Sequence, residues 1–154
     1  MLLIILWPRI NLWGFFVYID FVAKQFTLGK KERLKSRKRI DQLFSEGKSF
    51  SITPLRIYYL ISLYTVPHSP SNLQFGAGVS GKNFKKAVDR NRIKRLIKES
   101  YRLQKSELQQ TLKEKSIQLN IFFIYTDREL SDFNTVKVKV NVALKKLLQL
   151  VEEI

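Results

Sequence analysis

Residues 84–102 read Phe-Lys-Lys-Ala-Val-Asp-Arg-Asn-Arg-Ile-Lys-Arg-Leu-Ile-Lys-Glu-Ser-Tyr-Arg, and the chemistry such a stretch can do is anion binding. Ile93, Leu96, Ile97, Tyr101 and Leu108 recur at three- and four-residue steps, the spacing of a helix with one buried side. Arg92, Lys94, Arg95, Lys98, Arg102 and Lys105 fall mostly on the other sides. Asp89 is the expected N-cap, its carboxylate accepting the open amides of the first turn. Arg90 and Arg92 then lie where the helix dipole is positive, at a cost of about 0.3–1 kcal/mol for each exposed cation. A face that served only solvation would carry acids at that end. Guanidinium groups beside open backbone amides suit a phosphate.

Other chemistry is poorly provided for. The chain has 154 residues, enough for one domain with a real core. Its 28 Lys and Arg against 13 Asp and Glu leave a net charge of +15, which calls for a polyanionic partner, either nucleic acid or an anionic membrane. Cysteine is absent and His68 is the single histidine, set in a loop between Pro67 and Pro70. No thiolate nucleophile, disulfide frame or zinc site can therefore be built, and no catalytic residue or metal ligand is assigned.

The elements that must position the basic helix follow from the rest of the chain. Residues 1–25 are mostly Leu, Ile, Phe, Trp and Val, but Pro8, Arg9, Asn11, Gly14 and Asp20 interrupt them. No uninterrupted run approaches the roughly 20 apolar residues of a membrane span, and neither a basic start nor a small-residue cleavage site marks a signal peptide. The expectation is an apolar extension outside a functional domain at 26–154; a membrane anchor and an ordered extension are the alternatives. Ser36 can cap a helix over residues 37–46 that Gly47 ends. Residues 49–61 are β-rich and entered after Pro54, residues 64–72 read as a hairpin loop, and residues 73–80 as the return strand. Gly76 and Gly78 would let something approach that strand's backbone. A polar break at 113–116 precedes the strongest strand signal, residues 117–125. Val136, Val140, Ala143, Leu144, Leu147 and Val151 then form a helical stripe. The order is α-β-β-α-β-α, an α+β plan in two layers.

At residues 87–95, Ala-Val-Asp-Arg-Asn-Arg-Ile-Lys-Arg, the sequence closely resembles the bacterial ribonuclease P protein family. The Arg-Asn-Arg followed by Lys-Arg carries that resemblance, together with Arg33-Leu34-Lys35, Leu43-Phe44-Ser45-Glu46-Gly47 and the 75–80 strand. It extends over residues 26–153, and residues 1–25 have no counterpart. It implies a two-layer α/β sandwich with a left-handed crossover around the central basic helix, where the general rule would favour a right-handed one. It implies a cytoplasmic partner of a catalytic RNA that removes the 5′ leader of precursor tRNA. Mg²⁺, held mainly by the RNA, would activate the water, and no small-molecule substrate is expected.

Residue by residue, the resemblance places Arg90, Asn91, Arg92, Lys94, Arg95 and Lys98 on the RNA, with Arg102 continuing that surface. Phe44 and Tyr58 fall on aromatic positions of a cleft for the single-stranded leader; read without the family, either side chain could be core packing. Ile40 stands where many members carry a second aromatic. Gly81-Lys82 replaces a common Lys-Lys, for which Lys82, Lys85 and Lys86 could compensate as a basic patch. Two other readings use the same residues: a general basic RNA-binding or ribosome-associated protein, and a peripheral membrane protein joining residues 1–23 to the polybasic 30–39 run. Membrane contact through 1–23 is the less favoured. A helix-turn-helix fits poorly, because a strand precedes the basic helix.

Overall fold

The computed structural model describes residues 27–63 and 71–154. The expectations for residues 1–25, and for the loop at 64–70 with its His68, lie outside them.

Alternation builds the sheet. Strand β1 (Lys48–Ile52) and strand β2 (Leu55–Leu63) form an antiparallel hairpin across Thr53-Pro54, so the 49–61 run divides in two at its proline. Strand β3 (Leu73–Val79) and strand β4 (Ile117–Tyr125) complete a sheet of order β1-β2-β4-β3. In β4 the odd-numbered residues Ile117, Leu119, Ile121, Phe123 and Tyr125 are all buried on one face. β2 pairs antiparallel with β4, whereas β3 runs parallel to β4 on its other side.

That parallel pairing corrects the expectation that 73–80 returns alongside β2. β4, the most apolar strand, takes the interior position between the two, where both of its edges are hydrogen-bonded. A parallel pair cannot be joined by a tight turn and needs a crossover. Here the crossover is helical: α2 (Ala87–Gln104) and α3 (Ser106–Glu114), with α1 (Arg37–Glu46) before the sheet and α4 (Phe133–Glu152) after β4.

α2, α3 and α4 cover one face of the sheet. Ile93, Ile97 and Tyr101 of α2, Leu108 and Leu112 of α3, and the whole expected stripe of α4 join the sheet's buried residues in one core. Phe75 and Tyr101 stack with ring centroids 3.7 Å apart and planes 5° from parallel. Asp132 caps α4, accepting from the amides of Asn134 and Thr135 at 3.1 and 3.4 Å. The single basic helix expected through Leu108 is in fact two. The chain breaks at Lys105, so Leu108 belongs to α3, and Lys105 is 2 % exposed instead of lying on the basic face. A lysine there is tolerated because its Nζ donates to the Thr27 carbonyl at 2.6 Å and to Glu32 Oε2 at 2.5 Å.

α1 lies across the opposite face, with Leu43 fully buried beneath it. Ser36 occupies the N-cap position, though its hydroxyl makes no capping bond. At the other end the Gly47 amide donates to the Leu43 carbonyl at 3.1 Å. A Cβ on Gly47 would overlap that carbonyl oxygen and lie 2.9 Å from the Tyr59 carbonyl oxygen, so close approach, not backbone torsion, requires the glycine. Among the described residues no helix is long and apolar enough to cross a membrane. Gly47→Ala is expected to destabilise the fold by about 1–3 kcal/mol, read as a lower urea midpoint with an unchanged slope.

Candidate nucleic-acid interface

The basic surface begins where β3 ends. The Asn83 and Phe84 amides donate to the Ser80 carbonyl, both at 3.2 Å. Asn83 Nδ2 donates to the carbonyls of Thr126 and Asp127 at 2.8 and 3.2 Å, and Phe84 is buried with its ring 5.9 Å from that of Tyr125. The turn is thus pinned to the end of β4. Lys82, Lys85 and Lys86 are exposed on it.

α2 starts one turn earlier than expected. Lys86, not Asp89, is the N-cap residue, and the Arg90 amide already bonds to the Lys86 carbonyl. Asp89 is the third residue of the helix, where an acid still suits the dipole. The two arginines of the first turns part company. Arg90 turns back, and its Nη1 donates to the Phe84 and Lys85 carbonyls at 2.8 and 2.6 Å, clamping the turn to the helix. Asn91, Arg92, Arg95 and Lys98 are exposed and Lys94 is half-buried. Arg102 pairs with Glu99 at 2.6 Å. That bond holds the Glu99 carboxyl below its usual range and raises the Arg102 guanidinium. An exposed pair of this kind is worth about 0–1 kcal/mol.

Two cations outside the expected set join this surface. Arg33 bridges in parallel to Phe75 at the edge of β3, and the Leu34 amide donates to the Phe75 carbonyl at 2.9 Å. With Leu34 buried, Arg33 and Lys35 on either side of it are exposed. Burial, followed by the charges of Arg33, Lys94 and Lys35, lowers the pKa of Lys98; the cations of the two segments lie within each other's fields. Between them runs a groove of about 770 Å³ lined by the apolar side chains of Leu28, Leu96 and Phe133, by Arg33, Arg95, Lys98 and Arg102, and by the acid Glu99. The signal was legible as Arg-Leu-Lys alternating about an apolar residue. Its placement beside α2 was not.

The second surface is the strip of sheet that α1 leaves open. Phe44, 40 % exposed on α1, meets Tyr58 of β2 edge-on at 4.8 Å and Phe122 of β4 at 5.4 Å. Neither Phe44 nor Tyr58 joins the main core. Ile40, one helical turn before Phe44, is half-buried. Phe122 was not anticipated, and it explains Gly76 and Gly78: a Cβ on Gly76 would overlap the Phe122 ring, and one on Gly78 would lie 2.8 Å from it. The bare β3 backbone gives the ring room to lie flat. Arg56 stands 5.2 Å from the Tyr58 centroid. At the other end of the strip, Arg39 Nη1 donates to Gln74 Oε1 at 2.9 Å and ties α1 to β3.

Three half-exposed rings bordered by cations form a platform on which bases can stack and phosphates can be neutralised. Among the described residues no three acidic or histidine side chains gather in a group that could hold a metal ion.

A family model described as Ribonuclease P matches residues 28–148. The chain is 38 % identical over 122 residues to the ribonuclease P protein component of Porphyromonas gingivalis, covering 79 % of this chain and 87 % of that one. The solved RNase P protein from Thermotoga maritima is 27 % identical with a TM-score of 0.56, over 75 % of this chain and 96 % of that one. The Staphylococcus aureus RNase P protein has a TM-score of 0.59 at 21 % identity, over 75 % and 94 %, a likeness of fold alone.

Arg90 and Arg92 should separate on substitution. Arg90→Ala removes charge-assisted bonds to two carbonyls and is expected to cost about 1–3 kcal/mol in thermal or urea unfolding. Arg92→Ala should stay within about 0.5 kcal/mol of the parent.

Proposed function

The chain belongs to the ribonuclease P protein family, and we propose that it is the protein subunit of a ribonuclease P, docking on a catalytic RNA and holding the 5′ leader of precursor tRNA. The observation that carries this reading is the continuity of the two surfaces. β3 passes beneath the Phe44–Tyr58–Phe122 platform and runs on into the turn that bears Lys82, Lys85 and Lys86 and opens α2.

Each surface has its own task. Arg92, Lys94, Arg95 and Lys98 neutralise phosphates of the RNA along the outer side of α2, where Asn91 can hydrogen-bond to them and Arg102 continues the surface. Arg90 serves them by holding the turn. Phe44, Tyr58 and Phe122 accept leader bases by stacking, which is indifferent to base identity and worth about 1–3 kcal/mol per base. Ile40 contributes an apolar side to the platform without a stacking face. Arg56 offers a cation where the backbone of a stacked strand would pass.

The bond-breaking step is assigned to the RNA. Substrate and catalytic RNA are both polyanions, and a protein of charge +15 set between them relieves their repulsion and raises the local concentration of leader near the cleavage point. Mg²⁺ held mainly by RNA oxygens would supply the activated water, outside this chain's own residues. This chain's side chains bind and orient, and such work belongs in the cytoplasm, where precursor tRNA is processed.

Reconstitution of the full chain with its catalytic RNA at low Mg²⁺ tests the reading through 5′ leader cleavage. Strong stimulation is expected; RNA binding without stimulation would favour a general basic RNA-binding protein. Phe44→Ala should weaken precursor tRNA binding about tenfold, the loss of one stacked base, and leave mature tRNA unaffected. Equal losses on both substrates would remove Phe44 from the leader path.

A further inference from the structure

A salt bridge is buried where the fold has no evident need of one. Lys105 and Glu32 pair at 2.5 Å with side chains 2 % and 15 % exposed. Glu32 also accepts from the Gly29 amide at 2.9 Å and from Gln109 Nε2 at 3.0 Å, while Lys105 Nζ donates to the Thr27 carbonyl. The group lies at the α2–α3 break and ties residues 27–32 to it. Tyr101, fully buried beside it with a hydroxyl that has no hydrogen-bond partner among the described residues, has its pKa pushed well up by burial and then by the Glu32 charge. These ions sit in a poorly screened setting.

A buried ion pair is weak evidence for stability, since an apolar pair of similar volume often does as well; its best-attested use is to specify one arrangement among several. What this one specifies is the course of residues 27–35. Leu34 enters the core edge and bonds to Phe75, and a slip of one residue would turn Leu34 outward and Arg33 and Lys35 inward. Glu32 fixes the register immediately before that bridge. Arg33 is further aimed by the bond from its Nε to the Leu28 carbonyl at 3.2 Å. The result is a group of four cations drawn from two segments: Arg33 lines the groove with Arg95 and Lys98 of α2, beside Glu99, and Lys35 is exposed two residues from Arg33.

We propose that the Glu32–Lys105 pair is a positioning device for a second phosphate-binding site, formed by Arg33, Lys35, Arg95 and Lys98 on the flank of α2. The ligand is a phosphodiester of an RNA strand, which relieves the mutual repulsion of the four cations. The site extends the docking face described above and, as to which RNA it meets, rests on the reading under Proposed function. Glu32 and Lys105 touch no ligand and act only through Arg33 and Lys35.

The test uses the full chain and a single-stranded oligouridylate, a probe that requires phosphate binding and nothing of tRNA processing. For the parent, the log of affinity falls linearly with the log of salt, by about 0.7 for each phosphate neutralised. Arg33→Ala with Lys35→Ala, both exposed, should reduce that slope by about 1.4. Glu32→Ala with Lys105→Met removes both buried charges together, so neither is left unpaired, and should reduce the slope by the same amount. Combining all four substitutions should add nothing further. Hydrogen exchange at the Leu34 amide should quicken at least tenfold in the Glu32→Ala, Lys105→Met variant while the Ile121 amide is unchanged.

A parent slope in that variant, or additive losses on combination, would overturn the positioning role. A parent slope in the Arg33→Ala, Lys35→Ala variant would overturn the site itself, without any substitution in the core. Normal oligouridylate results beside a failure to stimulate leader cleavage would strike the proposed function and leave this site standing.

Discussion

The parallel pairing of β3 with β4 is the constraint on which the remaining architecture depends. Two strands running the same way must be joined from one end of the sheet to the other, and the join has to be long enough to carry its own hydrophobic face. In this chain the join is the basic helix. Ile93, Ile97 and Tyr101 hold α2 against the sheet, with Tyr101 stacked on Phe75, and the lysines and arginines between them are left with nowhere to go but outward. The same pairing brings the start of α2 to the end of β3, so the cations follow directly on the strand that floors the aromatic cleft. One topological choice thereby makes two surfaces adjacent that are far apart in composition.

The cleft has a separate cause. A four-stranded sheet covered on one face by three helices still has a second face, and α1 is too short at ten residues to cover it. The uncovered strip would expose large apolar side chains if β3 carried ordinary residues there. Gly76 and Gly78 instead let Phe122 settle against the β3 backbone, where it meets Phe44, and Phe44 meets Tyr58. The strip is apolar enough to stack a base and open enough to admit one.

Much of this could be read from residue order, and the failures share a physical origin. Periodicity located α1, β4 and the α4 stripe because each pattern depends only on neighbours along the chain. The reading of 73–80 as the partner of β2 failed because strand pairing is decided by which strand gains most from an interior position, and β4 lay some forty residues downstream. Asp89 as N-cap failed because Arg90, turning back on two carbonyls, holds the chain in position for a helix that starts earlier. Lys105 failed most instructively. Spacing put it on a basic face, but the helix breaks at that residue, and its charge is met by Glu32 from a segment seventy-three positions away. Phe122, Arg33 and Lys35 were likewise visible as residue types, and only the fold assembled them into surfaces.

The cations of this chain therefore do not form a uniform class. Arg90 is occupied by backbone carbonyls, Arg102 by Glu99, and Lys105 by Glu32 and Thr27. Each satisfies a local need of the fold, and the acids that meet Arg102 and Lys105 are already subtracted in the net charge. Arg92, Arg95 and Lys98 remain exposed on α2, and the pKa of Lys98 is lowered first by burial and then by the charges of Arg33, Lys94 and Lys35. Cations that outnumber the local acid raise the energy of the isolated protein, and an approaching polyanion recovers part of that energy on binding. The count of 28 Lys and Arg therefore overstates the interface in number and understates it in effect. Fewer cations face the partner than the composition suggests, but the fold has gathered those that do.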